Sequence, residues 1–309
     1  MIPIGLAVAP PAPDVPNALD DLVARSRAAV SGGGLGSLWL GQVFDIDALT
    51  SLAVIGGAVP EVGLGTAVVP IHPRHPTALA SQAQTVQAAV RGRLRLGIGV
   101  SHRELVEDRL GLSFDRPARF LREYLEVLMP LLYEGEVRSR GELVGADTTG
   151  WPGRVPGSTP PEVLVAALGP AMLRVTGELA DGTVTWLAGP RTLDEHIVPL
   201  LTRAATGRPA PRVVASLPVC VTDDAEGVRD RAASSHLAVY DRFAAYRTVM
   251  AREGLRSAAE IAIIGDEKHV EHRIRRLADA GATEFLANPW GFTTPEEHDR
   301  TVEFLKTLT

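Results

Sequence analysis

Short apolar runs alternate with segments of helical period along almost the whole chain. IGLAVA (4–9) is a continuous apolar run, and behind Asn17, a residue suited to cap a helix, Leu19, Leu22, Val23, Ser26 and Val30 follow at helical spacing. The unit repeats. SLWLG (37–41) precedes a helical 45–57, VGLGTAVV (62–69) a helical 76–90, and LRLGIGV (94–100) a helical 117–132 whose Leu121, Tyr124, Leu125, Leu128 and Leu132 make one apolar stripe. The second half continues with VLVAAL, a helix over 169–180, DGTVTWL, a helix over 193–206, and VVASLPVCVT. Helical segments around 224–253, a buried 261–264, a helix over 266–280, TEFLAN (283–288) and a final helix from Thr294 complete it.

Buried strands alternating with amphipathic helices predict a parallel sheet covered by helices. Strands near 2–8, 37–41, 62–68, 94–99, 162–167, 182–187, 212–220 and 283–287 number eight. Eight units favour a closed (β/α)8 TIM barrel of the α/β class over an open doubly wound sheet. Residues 1–309 read as one barrel domain. The Gly-, Pro- and Thr-rich stretch 134–161 reads as an insertion after the fourth βα unit, expected to shape a substrate mouth.

Composition narrows the partners. With 31 Lys+Arg against 37 Asp+Glu, a net charge of −6 and no basic run, the chain is not built to hold nucleic acid. The single cysteine, Cys220, permits no internal disulfide and no thiolate metal site, which suits a reducing compartment. The start of the chain lacks the basic flank of a signal peptide, and the apolar stretch 49–71 is broken by Gly56, Gly57, Pro60 and Glu61. A cytoplasmic location without membrane contact is the expectation.

Two segments offer anion sites. GIGVSH (97–102) is GxGxxH and fails as a dinucleotide fingerprint. Its small residues still make a turn where the N–H groups of Val100 and Ser101 can meet an anion, or simply lead into a helix. In VAALGPAM (165–172) a strand runs into Gly169-Pro170, leaving the N–H groups of Ala171 and Met172 at a helix start; this is either a phosphate cradle or ordinary helix initiation.

His72 and His75 lie among three prolines with no carboxylate or cysteine beside them, so no metal site is expected. Arg74 between them suits an anionic ligand. His102 stands where a barrel places catalytic groups, and an ordinary histidine pKa near 6.5 would suit proton donation; capping a helix is the alternative role. Trp39 and Trp186 end the second and sixth strands, where they flank a planar ligand or belong to the core. No GxSxG, HExxH or P-loop motif is present.

SLWLGQVFDIDALT (37–50), VGLGTAVVPIHPRHPTALASQAQT (62–85), LRLGIGVSH (94–102) and VLVAALGPAM (163–172) with ELADGTVTWLAGP (178–190) together resemble the luciferase-like monooxygenase superfamily. Within it they look most like the actinobacterial branch that uses coenzyme F420, a deazaflavin, in place of FMN. The resemblance spans essentially the whole chain and implies a bacterial luciferase-like barrel and a homodimer. It places a strand bulge with a non-prolyl cis peptide behind the cofactor ring at Thr66-Ala67-Val68. Phosphate contacts fall on Val100 and Ser101 and on Gly169, Ala171 and Met172, with Ala167, Leu168 and Pro170 as further cofactor-binding positions. Arg74, Arg103 and Arg191 are candidates for the polyglutamyl tail.

The sequence departs from the F420-dependent sugar-phosphate and alcohol dehydrogenases, which carry Asp-His after strand two and an acidic residue after strand four. Those positions read Gln42-Val43 and His102 here. The departure turns the expectation toward hydride transfer to an activated C=C or C=N bond of a small molecule, with His102 as proton donor, Gln42 as a polar contact, and Trp39 and Trp186 at the substrate. The alternatives are an FMN-dependent monooxygenase and a non-catalytic barrel that binds F420 or a flavin.

Overall fold

The computed structural model describes residues 1–42, 44–151 and 153–308. Eight parallel strands form one closed sheet with flanking helices, a (β/α)8 barrel: β1 (Ile4–Ala7), β2 (Ser37–Leu40), β3 (Gly63–Thr66), β4 (Leu94–Gly99), β5 (Glu162–Val165), β6 (Gly182–Trp186), β7 (Arg212–Val221) and β8 (Glu284–Asn288). Neighbours follow chain order, with β8 beside β1 and β6 beside β7. All eight expected strands are present within a few residues of their predicted limits. Contacts divide the chain into two halves, 40–183 with 201–211, and 1–39 with 184–200 and 212–309.

In the first of these halves, β3 is interrupted. Leu64 pairs with Leu94 and Gly65 with Arg95, and pairing resumes with Val69 opposite Ile98 and Pro70 opposite Gly99. Residues 66–68 therefore oppose only 96 and 97, which is one residue too many: a β-bulge. Thr66 repairs the ladder. Its hydroxyl accepts the Gly97 N–H at 2.8 Å and donates to the Gly97 carbonyl at 2.7 Å, while the Ala67 N–H donates to Leu40 O at 2.8 Å.

The helix Pro117–Tyr133 buries the predicted stripe of Leu121, Tyr124, Leu125, Leu128 and Leu132. Each such side chain contributes about 1.5–3 kcal/mol on leaving water. The segment 134–161 follows the fourth βα unit, joins the end of this helix to the start of β5, and contains an antiparallel hairpin, Arg138–Arg140 with Gly145–Asp147.

The hairpin runs back along the helix, where the Glu123 carboxylate accepts the N–H groups of Leu143 (2.6 Å) and Val144 (2.9 Å). Burial alone would raise the Glu123 pKa, but Arg119 and these N–H donors hold it at about 2. An inward-turned glutamate thus seats the segment on a helix.

In the other half, Asn17 caps the helix Ala18–Val30 as predicted, accepting from Leu19 N and Asp20 N. The β7 to β8 connection is long. It carries the helix Ala225–Ala233, the 3-10 segment His236–Arg242, the helix Ala244–Glu253, and a short strand, Ile263–Gly265, which returns to pair with the end of β7. No helix among the described residues is long and apolar enough to cross a membrane.

Candidate active site

The C-terminal ends of β3, β4 and β5 bring together most of the predicted positions. The Ala67–Val68 peptide is cis. The glycines of GIGVSH explain themselves by contact with this bulge: a Cβ on Gly97 would stand 1.8 Å from Thr66 O, and one on Gly99 would stand 2.9 Å from a Val68 methyl. Glycine is required there for close backbone approach. Ser101 follows with φ +64, a left-handed conformation that turns the chain after Val100.

β5 pairs with β4, and Ala166 N donates to Ile98 O at 2.8 Å, so the Ala167–Met172 segment leaves the sheet beside the Val100–Ser101 turn. Gly169 is the N-cap of the helix Pro170–Leu179, and no side chain caps this end. A Cβ on Gly169 would meet nothing within 4 Å. The backbone donors of Ala171 and Met172, with the positive end of the helix behind them, therefore face open approach.

His102 is the N-cap of the helix Arg103–Asp108, is half-buried, and makes no side-chain capping bond. Burial lowers its pKa below 6.5, with Glu104 opposing. The ordinary value expected from sequence is thus corrected, and at neutral pH the ring is mainly neutral.

Gln42 and Arg74 belong to one network. Gln42 Oε1 accepts Ala48 N at 3.0 Å and Arg74 at 3.4 Å, Arg74 forms an ion pair with Asp47, and Asp47 also accepts from Gln82 at 2.9 Å. Val43 lies outside the described residues. The other two arginines are also paired, Arg103 with Glu107 and Arg191 with Glu195, on exposed helical turns.

His72, set aside in the sequence as a metal ligand, matters in another way. It stacks on Phe120 with centroids 4.5 Å apart, its Nδ1 is buried with no hydrogen-bond partner among the described residues, and burial lowers its pKa against an opposing pull from the Val100 backbone. Only its position two residues beyond the bulged strand hinted at this. His75 caps the helix Pro76–Ala89.

Trp39 and Trp186 part company. Trp39 is fully buried, and its indole N–H points to Ser37 Oγ (2.7 Å) and Glu284 Oε1 (3.2 Å), toward the first residue of β8. That is the N-terminal end of the strand, away from the face where barrels place their ligands. Trp186, the last residue of β6, is half-buried and meets Tyr240 edge to face at 5.8 Å; Leu187 after it adopts φ +58.

A closed barrel with a bulged third strand and adjacent turns after strands four and five is what the resemblance to the luciferase-like monooxygenases implied. The family model for Luciferase-like monooxygenase matches residues 2–307, and the chain belongs to that family. A Mycobacterium tuberculosis protein whose name assigns it provisionally to the coenzyme F420-dependent oxidoreductases is 31% identical over 175 residues; the alignment takes in 53% of this chain and half of that relative's length.

Among solved structures, the coenzyme F420-dependent tetrahydromethanopterin reductase of Methanopyrus kandleri superposes with TM-score 0.79 at 20% identity, covering all of this chain and 98% of that one. The oxygenating constituent of 3,6-diketocamphane monooxygenase from Pseudomonas putida, solved with FMN, gives 0.76 at 17% identity and covers 99% and 97%. At these identities the two structures establish the fold.

Proposed function

We propose that the protein is a cytoplasmic, homodimeric oxidoreductase that binds coenzyme F420 at the C-terminal ends of β3, β4 and β5 and reduces a small neutral organic acceptor at a C=C or C=N bond. The supporting observation is the placement of the bulge at 66–68, the left-handed turn at Ser101 and the uncapped helix start at Gly169 on three neighbouring strands. The open face of Gly169 fits a phosphate brought close to backbone. The name of the M. tuberculosis relative points to the same cofactor.

In this reading Val100, Ser101, Gly169, Ala171 and Met172 hold the phosphate through N–H groups and a hydroxyl, and the bulge backs the ring. When bound, reduced F420 supplies a hydride from C5 of its deazaflavin. Gln42 orients polar atoms near Arg74. His102 carries the proton: as a mainly neutral imidazole it donates through its ring N–H, and the small imidazolium fraction supplies the full proton. Arg74, already balanced by Asp47, contributes to the cofactor tail as part of an ion pair.

A titration of the purified protein with F420 and with FMN tests the cofactor. Preference for F420 by about tenfold, or roughly 1.4 kcal/mol, is the expected result. The opposite preference would favour the FMN reading, which the solved diketocamphane monooxygenase complex keeps in view. Tight binding of F420 without turnover of any acceptor would favour a binding protein.

A further inference from the structure

A second cluster stands in the other half of the chain, where β6 and β8 end. Trp186 closes β6, Asn288 closes β8, Trp290 follows two residues later, and His236 and Tyr240 come from the 3-10 segment of the β7 to β8 connection. His236 stacks on Trp290 with centroids 4.5 Å apart and planes 12° apart. The stack depends on Gly291, whose φ is +88 and where a Cβ would lie 2.6 Å from His236 Nδ1. Tyr240 meets Trp186, Phe243 and Tyr246 edge-on.

Beside these aromatic contacts, the buried atoms His236 Nε2, Asn288 Oδ1 and Trp290 Nε1 have no hydrogen-bond partner among the described residues. The indole N–H of Trp186 turns toward the Tyr240 side chain without closing a full hydrogen bond. Native folds rarely leave buried polar atoms unmatched, and such clusters call for an explanation. Leu187, a bulky residue in the left-handed region directly after Trp186, adds a strained strand exit of the kind that gathers at ligand sites.

The donor set defines the ligand. Indole N–H groups only donate, and a carboxamide oxygen only accepts, so the ligand must present both an acceptor and a donor. None of these groups carries charge at neutral pH, since burial also lowers the pKa of His236. The nearby cation Arg231 is taken up by Glu297 and the Phe292 carbonyl. A carboxylate or ammonium group would enter without a counter-charge.

We propose that Trp186, His236, Tyr240, Asn288 and Trp290 form a binding site for a planar, uncharged carbonyl compound. Its carbonyl oxygen accepts from an indole N–H, its own N–H or O–H donates to Asn288 Oδ1, and its flat body lies within the aromatic frame. The site lies wholly in this half of the chain, and the proposal goes beyond the oxidoreductase reading without resting on it.

The test uses the intact protein without cofactor and 2-quinolone, a neutral planar lactam, as calorimetric probe. Wild type should bind it at least tenfold more tightly than N-methyl-2-quinolone, which lacks the donor, or 2-quinolone-4-carboxylate. Trp290→Phe and Asn288→Leu should each weaken 2-quinolone at least tenfold while the melting temperature stays or rises, because a buried unmatched polar group has been removed. Failure of wild type to bind, equal binding of the carboxylate, unchanged binding in both variants, or a clear loss of melting temperature in them would overturn the proposal. A parallel F420 titration separates the two readings: 2-quinolone binding without F420 binding sinks the cofactor assignment alone, and the reverse sinks this site alone.

Discussion

One hydroxyl of Thr66 both accepts from and donates to the backbone of Gly97, replacing the ladder bonds that the extra residue in β3 takes away. Thr66→Val would leave the Gly97 N–H and C=O unmatched inside the sheet, at a cost of about 2–4 kcal/mol for the two groups. Urea unfolding should show this loss, and Thr66→Ser should recover most of it. Equal stability of the valine variant would mean that the bulge does not rely on the side chain.

Gly169 gives the opposite signature. Its Cβ position is empty to 4 Å and its φ is an ordinary −85, so Gly169→Val should change stability by less than about 1 kcal/mol. Affinity for F420 should nevertheless fall by at least about tenfold if backbone approach is the role of this residue. Parallel melting and titration would expose a failure, which would be an affinity equal to wild type.

His102→Gln should lower kcat while leaving F420 affinity within about threefold. Burial sets the pKa of the free ring below 6.5, so if the imidazolium is the working acid, kcat/KM of wild type should fall as pH rises through that lowered value. The variant should lose this limb. A pH profile shared by the two proteins would remove His102 from the chemistry.

Stability should fall in acid in two stages. His72, His102 and His236 all have folded pKa values lowered by burial, so below about pH 6.5 the unfolded chain binds protons that the folded chain refuses. Their contribution is intact above 6.5 and is lost as pH falls toward the folded values. Glu123, held near 2, and Glu297, also lowered, add a further loss below about pH 4.5. Denaturant midpoints from pH 8 to 4 check this, and a flat profile between 7 and 5.5 would contradict the histidine stage.

Arg212→Met should separate fold from site. Glu284 is 1% exposed and takes Arg212 at 3.2 Å at the N-terminal ends of β7 and β8, and a buried carboxylate stripped of its cation costs about 3–5 kcal/mol. Unfolding should shift accordingly, with F420 affinity retained at temperatures where the variant is folded.

The barrel was legible because each strand is a short apolar run and each helix has its own period and cap, as with Asn17 before Ala18–Val30. The turns at Ser101 and Gly169 were legible as turns because Gly-rich and Gly-Pro junctions mark where a strand gives way to a helix. What each glycine does was hidden, since the approach of Thr66 O to Gly97 is a contact across 31 positions in the sequence. Trp39 shows a related limit: position at a strand end does not say which way an indole leans, and Glu284 claimed it from the far end of the chain. Arginine pairing was equally invisible, because Asp47 meets Arg74 only once two loops are folded. His236, Asn288 and Trp290 carry no motif, and only their unmatched atoms single them out.

Within the β7 to β8 connection, residues 222–265 begin and end at one place: Thr222 N donates to Gly265 O at 2.9 Å, so this part of the chain departs and returns at neighbouring points of the sheet. A segment with joined ends behaves as a cassette. Lengthening it costs only a slowly growing closure entropy, and replacing it leaves the register of β7 and β8 alone. His236 and Tyr240 ride on this cassette, while the bulge, the Ser101 turn and the Gly169 helix start do not. Changes confined to this cassette therefore alter the surroundings of His236 and Tyr240 while the bulge, the Ser101 turn and the Gly169 helix start are inherited as they are.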